Sequence, residues 1–377
     1  MIHVQEINDP GRLADLRPLW NRLLGETPGA TFFQSCEWLE CYWRHYGAAQ
    51  RLRVLLVQSD DQPLGVLPLA VRTETSRVGE IRALTYPLHD WGTFYGPIGP
   101  NPAATLQAGL AHVRETRRDW DVLDLRWVDR DGCDRGQTEQ AMQQAGLRPA
   151  VQAWDRAARV EIAGAWRDYW STRDKKFRHN IERCQRRLAE EGEVTLVCHR
   201  PPPAAQGEGD PRWDLYDACV DLAQRSWQGD ASDGTTLSHP QVRDFLRDVH
   251  TAAARAGAVD MNLLLLAGRP IAFIYHYCRD GRLYGLRKGF DPEFARFRAG
   301  LVLQYLTLQI CFERGDHSYD LGVGYHDTKR QWQTSIATSY RLTYFPPMVF
   351  RAQLLRLNRW IRRKLYGRHD IACVQGV

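Results

Sequence analysis

A chain of 377 residues, 44% hydrophobic and 25% charged, holds enough apolar material for two cores and excludes a disordered or fibrous protein. Its formal net charge is only +5, which makes no global case for nucleic-acid binding. Nine cysteines without a C-x-x-C pair or a His cluster at ligand spacing read as reduced thiols, and no metal is expected. The opening Met1-Ile2-His3-Val4-Gln5-Glu6 has neither the charged nor the apolar region of a signal peptide. No apolar run approaches the ~20 residues that cross a bilayer, so the expected place is the cytoplasm.

In chain order, residues 13–24 and 35–46 read as short helices, the second with Ser35 as N-cap and Trp38, Tyr42, Trp43 and Tyr46 at helical spacing. Residues 52–58 and 64–72 are apolar strands joined by Ser59-Asp60-Asp61-Gln62-Pro63, a hairpin by its turn chemistry. The following loop, 88–100, contains Pro97 and Pro100, which lack the backbone donors a phosphate cradle needs. His89, Asp90 and Trp91 within it either line an acceptor pocket or belong to a rigid Gly/Pro loop. Residues 120–127 form the next strand.

Residues 165–191 read as one long helix with Trp166, Tyr169, Trp170, Phe177, Ile181, Cys184 and Leu188 on its buried side. Its cations alternate with Asp168, Asp174, Glu182, Glu190 and Glu191, as a solvated face does. Residues 211–227 form a helix delivering Arg225-Ser226-Trp227, and 229–236 are a flexible segment that could fold over a substrate.

Strands at 261–267, 270–278 and 282–287 then lead through Lys288-Gly289 to Arg298-Ala299-Gly300, a helix from Leu301 to Arg314, and a strand at 318–323. A helix start offers unpaired N–H groups and partial positive charge, so a small-residue loop there suits a pyrophosphate. Arg287, Lys288, Gly289, Arg298, Ala299, Gly300 and Leu301 are the candidate cofactor set. An ordinary crossover with solvated cations is the plainer alternative.

The two halves repeat. Gln62-Pro63-Leu64-Gly65-Val66 answers Arg269-Pro270-Ile271-Ala272-Phe273, and Trp120-Asp121-Val122-Leu123-Asp124-Leu125 answers His317-Ser318-Tyr319-Asp320-Leu321-Gly322. The expected organisation is a duplicated α/β unit over 1–150 and 155–345, then a basic amphipathic helix at 348–366 within a tail of 346–377. That helix either lies on an anionic membrane surface or docks on the protein itself.

Several stretches resemble the BioF-like/CelD-type acetyltransferase family of the GNAT superfamily, itself similar to the duplicated-GNAT Fem-type transferases. They include Phe177-Arg178-His179-Asn180-Ile181, Arg225-Ser226-Trp227, Lys288-Gly289-Phe290-Asp291-Pro292, Ala299-Gly300-Leu301, Tyr319-Asp320-Leu321-Gly322 and His326-Asp327-Thr328-Lys329-Arg330. The resemblance implies two tandem GNAT-like α/β domains, each a mixed, mostly antiparallel sheet flanked by helices. It also implies acyl transfer from acyl-CoA to an amine of a small molecule, sugar or peptide, in a setting such as envelope or polysaccharide synthesis. Where the family often has Ser-Pro-Gly before the cofactor helix, this chain has Arg298-Ala299-Gly300.

Under that reading Asp320 or His326 is the base and Tyr275 or Tyr284 protonates the thiolate. Lys329 holds a carboxylate or phosphate of the acceptor, with Asp90, Trp91, Trp227 and Tyr325 also on the substrate side. The plainer alternatives are a capping carboxylate for Asp320, a loop residue for His326 and a core residue for Tyr275. Two other functions remain open. One is an aminoacyl-tRNA donor gripped by the basic helix of Lys175 to Arg187; the other is a non-catalytic binding module.

Overall fold

The computed structural model describes residues 1–60, 62–204, 209–226, 236–324 and 326–365, with only the backbone of His326. It divides into two compact units, Met1–Arg156 with Ala337–Val377, and Ala157–Ile336.

The first unit begins β1 (Ile2–Ile7), α1 (Leu13–Gly25), α2 (Cys36–Tyr46), β2 (Gln50–Ser59), β3 (Gln62–Ser76) and β4 (Gly79–Thr85). It continues α3 (Pro102–Glu115), β5 (Val122–Val128), α4 (Gln137–Gln144) and β6 (Ala150–Glu161), the last of which runs on into the second unit. Its strands pair in the order β1-β2-β3-β4-β5, antiparallel except for the parallel β4–β5 pair that α3 joins. The Ser35 side chain caps α2 by accepting from the Trp38 N–H at 3.1 Å. Trp38 and Tyr42 are buried, as the spacing predicts, whereas Trp43 and Tyr46 are only half-buried.

The second unit contains α5 (Trp166–Ser171), α6 (Lys175–Ala189), β7 (Val194–His199), α7 (Trp213–Arg225), α8 (Pro240–Arg255), β8 (Val259–Leu266) and β9 (Arg269–Arg279). It closes with β10 (Arg282–Phe290), α9 (Ala299–Arg314), β11 (Ser318–Val323) and α10 (His326–Lys329). Its sheet order is β7-β8-β9-β10-β11-β6, again with one parallel pair, β10–β11, bridged by a helix. The fold class is therefore the expected one: two tandem α/β units, each with a mixed, mostly antiparallel sheet flanked by helices.

The boundaries move from those expected. The first unit extends to Arg156, and β12 (Ser335–Tyr344) pairs from Tyr340 to Tyr344 with β5, so residues from Ala337 belong to the first unit and not the second. Each sheet thus ends on a strand that chain order alone would assign to its neighbour. The final helix, α11 (Phe350–Leu365), also belongs to the first unit: Ala352 and Leu355 are buried against Ile81, Ala83 and Val122.

The stretch 165–191 is two helices and not one. Asp174 stands between them and its carboxylate accepts from the Phe177 N–H at 2.9 Å, capping α6 afresh. Phe177, Ile181, Cys184 and Leu188 form the buried stripe of α6. Among the described residues, no helix is long and apolar enough to cross a membrane.

Candidate functional site

The second unit's parallel pair sets the geometry. The β10–β11 ladder covers Arg282↔Ser318, Leu283↔Tyr319 and Tyr284↔Asp320 only. Just beyond it, β10 carries an extra residue, Leu286, between its pairings of Gly285 with His276 and Arg287 with Tyr275. A matching irregularity in β11 lies between Asp320 and Val323. Bulges on both strands break the ladder and redirect side chains there, a device common beside functional sites. Gly285 is required at this point, because a Cβ would sit 2.6 Å from the Asp320 carbonyl oxygen.

The carboxyl ends of two parallel strands and the amino end of the helix joining them fall on one edge of a sheet. Here that helix is α9, 16 residues long, whose N-cap Arg298 adopts a left-handed conformation (φ 53°) and offers no side-chain acceptor. The N–H groups of Leu301 and Val302 already bond the Arg298 carbonyl, at 2.8 and 3.2 Å. The earlier amides, of Ala299 and Gly300, precede the intrahelical ladder. Lys288 and Arg298 are exposed, Gly289 and Ala299 are buried, and Leu301 packs on the aromatic core of Tyr169 and Phe177. The protein packed around Lys288 partly desolvates its ammonium and lowers it from its ordinary pKa. Arg287 is half-buried and donates to the Leu286 carbonyl at 2.6 Å.

One residue outside the sequence-derived set holds this loop in place. Asp291 is 2% exposed and accepts from the guanidinium groups of Arg225 and Arg269, the latter at 2.7 Å, and from the Glu293 N–H at 3.1 Å. It fastens the β10–α9 connection to α7 and β9. The Asp291-Pro292 pair, a cap followed by proline, was the available signal.

Tyr284, Asp320 and Arg159 are cross-strand neighbours on β10, β11 and β6 and so share one face of the sheet. Asp320 is 3% exposed. Its Oδ1 accepts from the Gly322 N–H at 2.6 Å, while Oδ2 is buried with no hydrogen-bond partner among the described residues. Burial raises its pKa, opposed by Arg159, the Gly322 N–H and Lys329.

Tyr275 lies on the same face through its neighbour Tyr277, which pairs with Tyr284, yet its hydroxyl is used in the core. The Nε2 of His250 bonds the Pro211 carbonyl at 2.7 Å and must carry the proton, so Nδ1 accepts from the Tyr275 hydroxyl at 2.9 Å. Burial keeps His250 neutral, with its pKa down to about 4, and pushes that of Tyr275 well up. Lys329 is likewise used internally: its buried ammonium donates to the Gly322 and Val323 carbonyls at 2.8 and 2.7 Å, pinning the chain after Asp320.

Trp227, Tyr325 and the side chain of His326 lie outside the described residues. Asp90, exposed, and Trp91, buried, belong to the first unit, beside a His89 ring stacked on Tyr46 at 4.6 Å. The first unit's own crossover helix, α3, begins differently from α9. Asn101 caps it by accepting from the Ala104 N–H at 3.2 Å, and Pro102 fills its first turn.

Residues 175–330 match a family model described as an acetyltransferase (GNAT) domain, and Asp320, Tyr284 and the α9 start lie within that stretch. No curated protein matches the sequence significantly. Among solved structures the chain is similar to FemX at 11% identity and a TM-score of 0.60, over 94% of this chain and 99% of that one. It is also similar to a conserved protein of unknown function from Bacteroides thetaiotaomicron VPI-5482, at 14% identity and a TM-score of 0.54, over 91% and 100% of the two chains. At such identities the likeness is one of fold.

Proposed function

We propose, with the acetyltransferase (GNAT) match as premise, that the chain is an N-acyltransferase whose second unit takes an acyl-CoA donor and transfers its acyl group to an amine. One juxtaposition carries this reading. The α9 start, with no side-chain cap, follows β10, and Asp320, whose buried Oδ2 has no partner among the described residues, lies on the parallel neighbour β11, and the ladder between the two strands stops between bulges.

Arg287, Lys288, Gly289, Arg298, Ala299, Gly300 and Leu301 are the residues that would hold the CoA phosphates, and the unpaired amides with two exposed cations fit that anion. When bound, the thioester supplies an activated acyl carbon and a thiolate leaving group. Asp320 Oδ2 takes the proton released by the attacking amine, a task for which its raised pKa suits it. A backbone N–H at the β10 bulge, around Leu286, would be the donor to the developing oxyanion. Tyr284, the cross-strand neighbour of Asp320, gives the departing thiolate its proton. His326 is the alternative base.

The acceptor class is an amine on a small molecule, sugar or peptide, with Trp227, Tyr325, Asp90 and Trp91 as its candidate contacts. The narrower BioF-like/CelD-type assignment rests on the sequence motifs, and the cytoplasmic setting on the unpatterned cysteines and the lack of a long apolar run.

The test is thermal unfolding with CoA, acetyl-CoA and a longer acyl-CoA, for the natural chain and a Lys288→Ala/Arg298→Ala variant. Ligand at about 100 times its dissociation constant adds roughly 2.7 kcal/mol of stability, and the gain should vanish in the variant. No shift with any thioester would reject acyl-CoA as donor and leave the aminoacyl-tRNA and binding-module readings.

A further inference from the structure

Helix α11 uses only one of its two apolar faces. Ala352 and Leu355 are buried in the first unit, and Arg359 on the same side donates to Thr343 Oγ1 at 3.1 Å and pairs with Asp124. Turning by 100° per residue, Phe350, Leu354, Leu357, Ile361 and Leu365 fall on the opposite side in one stripe. Leu354 is partly buried, but Phe350, Leu357, Ile361 and Leu365 are 74%, 51%, 39% and 71% exposed. Trp360 beside them is 51% exposed, and Met348 just before the helix is 92% exposed. Ten large hydrophobics stand exposed among the described residues, and six of them lie between 348 and 365. A clustering of that kind marks an interaction surface.

Charge decides what covers it. Residues 350–365 contain no acid; Lys364 is exposed at the stripe's edge, Arg356 and Arg363 are exposed farther round the same flank, and Arg362 is half-buried on the other. The Lys364 ammonium sits 4.4 Å from the Trp360 ring centroid, an amphipathic pair of the kind found at headgroup depth. Two copies meeting stripe to stripe would crowd these cations together with no carboxylate on the helix to balance them. A bilayer carrying phosphate-bearing anionic lipids supplies both the apolar layer and the opposite charge. We infer that α11 docks the protein peripherally on an anionic phospholipid surface, lying in the interface with Phe350, Leu354, Leu357, Ile361 and Leu365 inward and Arg356, Arg362, Arg363 and Lys364 at the headgroups. This surface is independent of the acyl-transfer reading.

The experiment is co-sedimentation of the full chain with vesicles of phosphatidylcholine alone and of phosphatidylcholine mixed with phosphatidylglycerol. Binding is expected to the mixed vesicles, weakening as salt rises. Arg363→Gln/Lys364→Gln should lower the partition coefficient by about five-fold per cation removed. Leu357→Glu/Ile361→Glu should lower it by at least about ten-fold, with an unchanged unfolding temperature because both positions face solvent. Failure to sediment with mixed vesicles overturns the proposal, as does equal sedimentation of the Leu357→Glu/Ile361→Glu variant. A dimer in solution that this variant converts to monomer, with no lipid binding by either form, assigns the stripe to a second copy instead.

Discussion

Asp320 joins two properties that pull in opposite directions. A buried carboxylate oxygen with no hydrogen-bond partner among the described residues is a cost to the fold, and under the proposed function the same burial, which raises the pKa, would make it the stronger base. Because its folded-state pKa is raised, its favourable contribution to stability is complete below the unfolded value near 3.8 and is lost as pH rises through the raised value. Asn at 320 still accepts from the Gly322 N–H and carries no charge. Asp320→Asn should therefore cost about 100-fold or more in turnover while raising the unfolding temperature at pH 7, a gain that shrinks toward pH 4. Retained turnover, measured beside an unchanged CoA-induced shift, would remove Asp320 from the chemistry. Sequence could nominate Asp320 because a lone acid in an apolar strand stands out. It could not separate Tyr275 from Tyr284, since only the His250 partner in α8 shows that one hydroxyl is committed to the core. Lys329 was legible as a candidate acceptor contact, but its role as a clamp on Gly322 and Val323 depends on a turn geometry that residue type does not encode.

At the scale of elements, strands and helices were readable where period and caps are local, and unreadable where partners are distant. The hairpins and the α9 crossover follow from apolar runs and turn residues. The placement of β12 beside β5 rests on a pairing more than 200 residues apart, for which no local pattern exists. Its anchor is Asp124, fully buried on β5, which receives Arg126 from its own strand at 2.7 Å, Arg341 from β12 and Arg359 from α11. The guanidinium groups outweigh the burial cost and hold its pKa well below the ordinary range. Asp124→Ala leaves three guanidinium groups without their shared partner, so a loss of about 3–5 kcal/mol is expected in urea unfolding, with β12 and α11 losing amide-exchange protection first. A loss under about 1 kcal/mol would mean that apolar packing by Ala352 and Leu355 suffices to hold these elements.

Over the whole molecule, both units have the same strand-helix-strand core but different entrances to the helix. In β4–α3–β5 the helix start is closed from within: Asn101 accepts from one early amide and Pro102 has no N–H to offer. In β10–α9–β11 the corresponding place is held by Arg298, with no capping acceptor, ahead of Ala299 and Gly300 and fastened by Asp291. An anion needs unpaired donors and positive charge together, and only the second start combines them. The consequence is a stoichiometry. Calorimetric titration with CoA should give one site per chain, abolished by Lys288→Ala/Arg298→Ala and left at one by Asn101→Ala, which costs about 1 kcal/mol of stability through the lost cap. Two equivalent sites would mean that capping does not distinguish the units. One site lost in the Asn101 variant but kept in the Lys288/Arg298 variant would move the donor to the first unit and reverse the roles of the two.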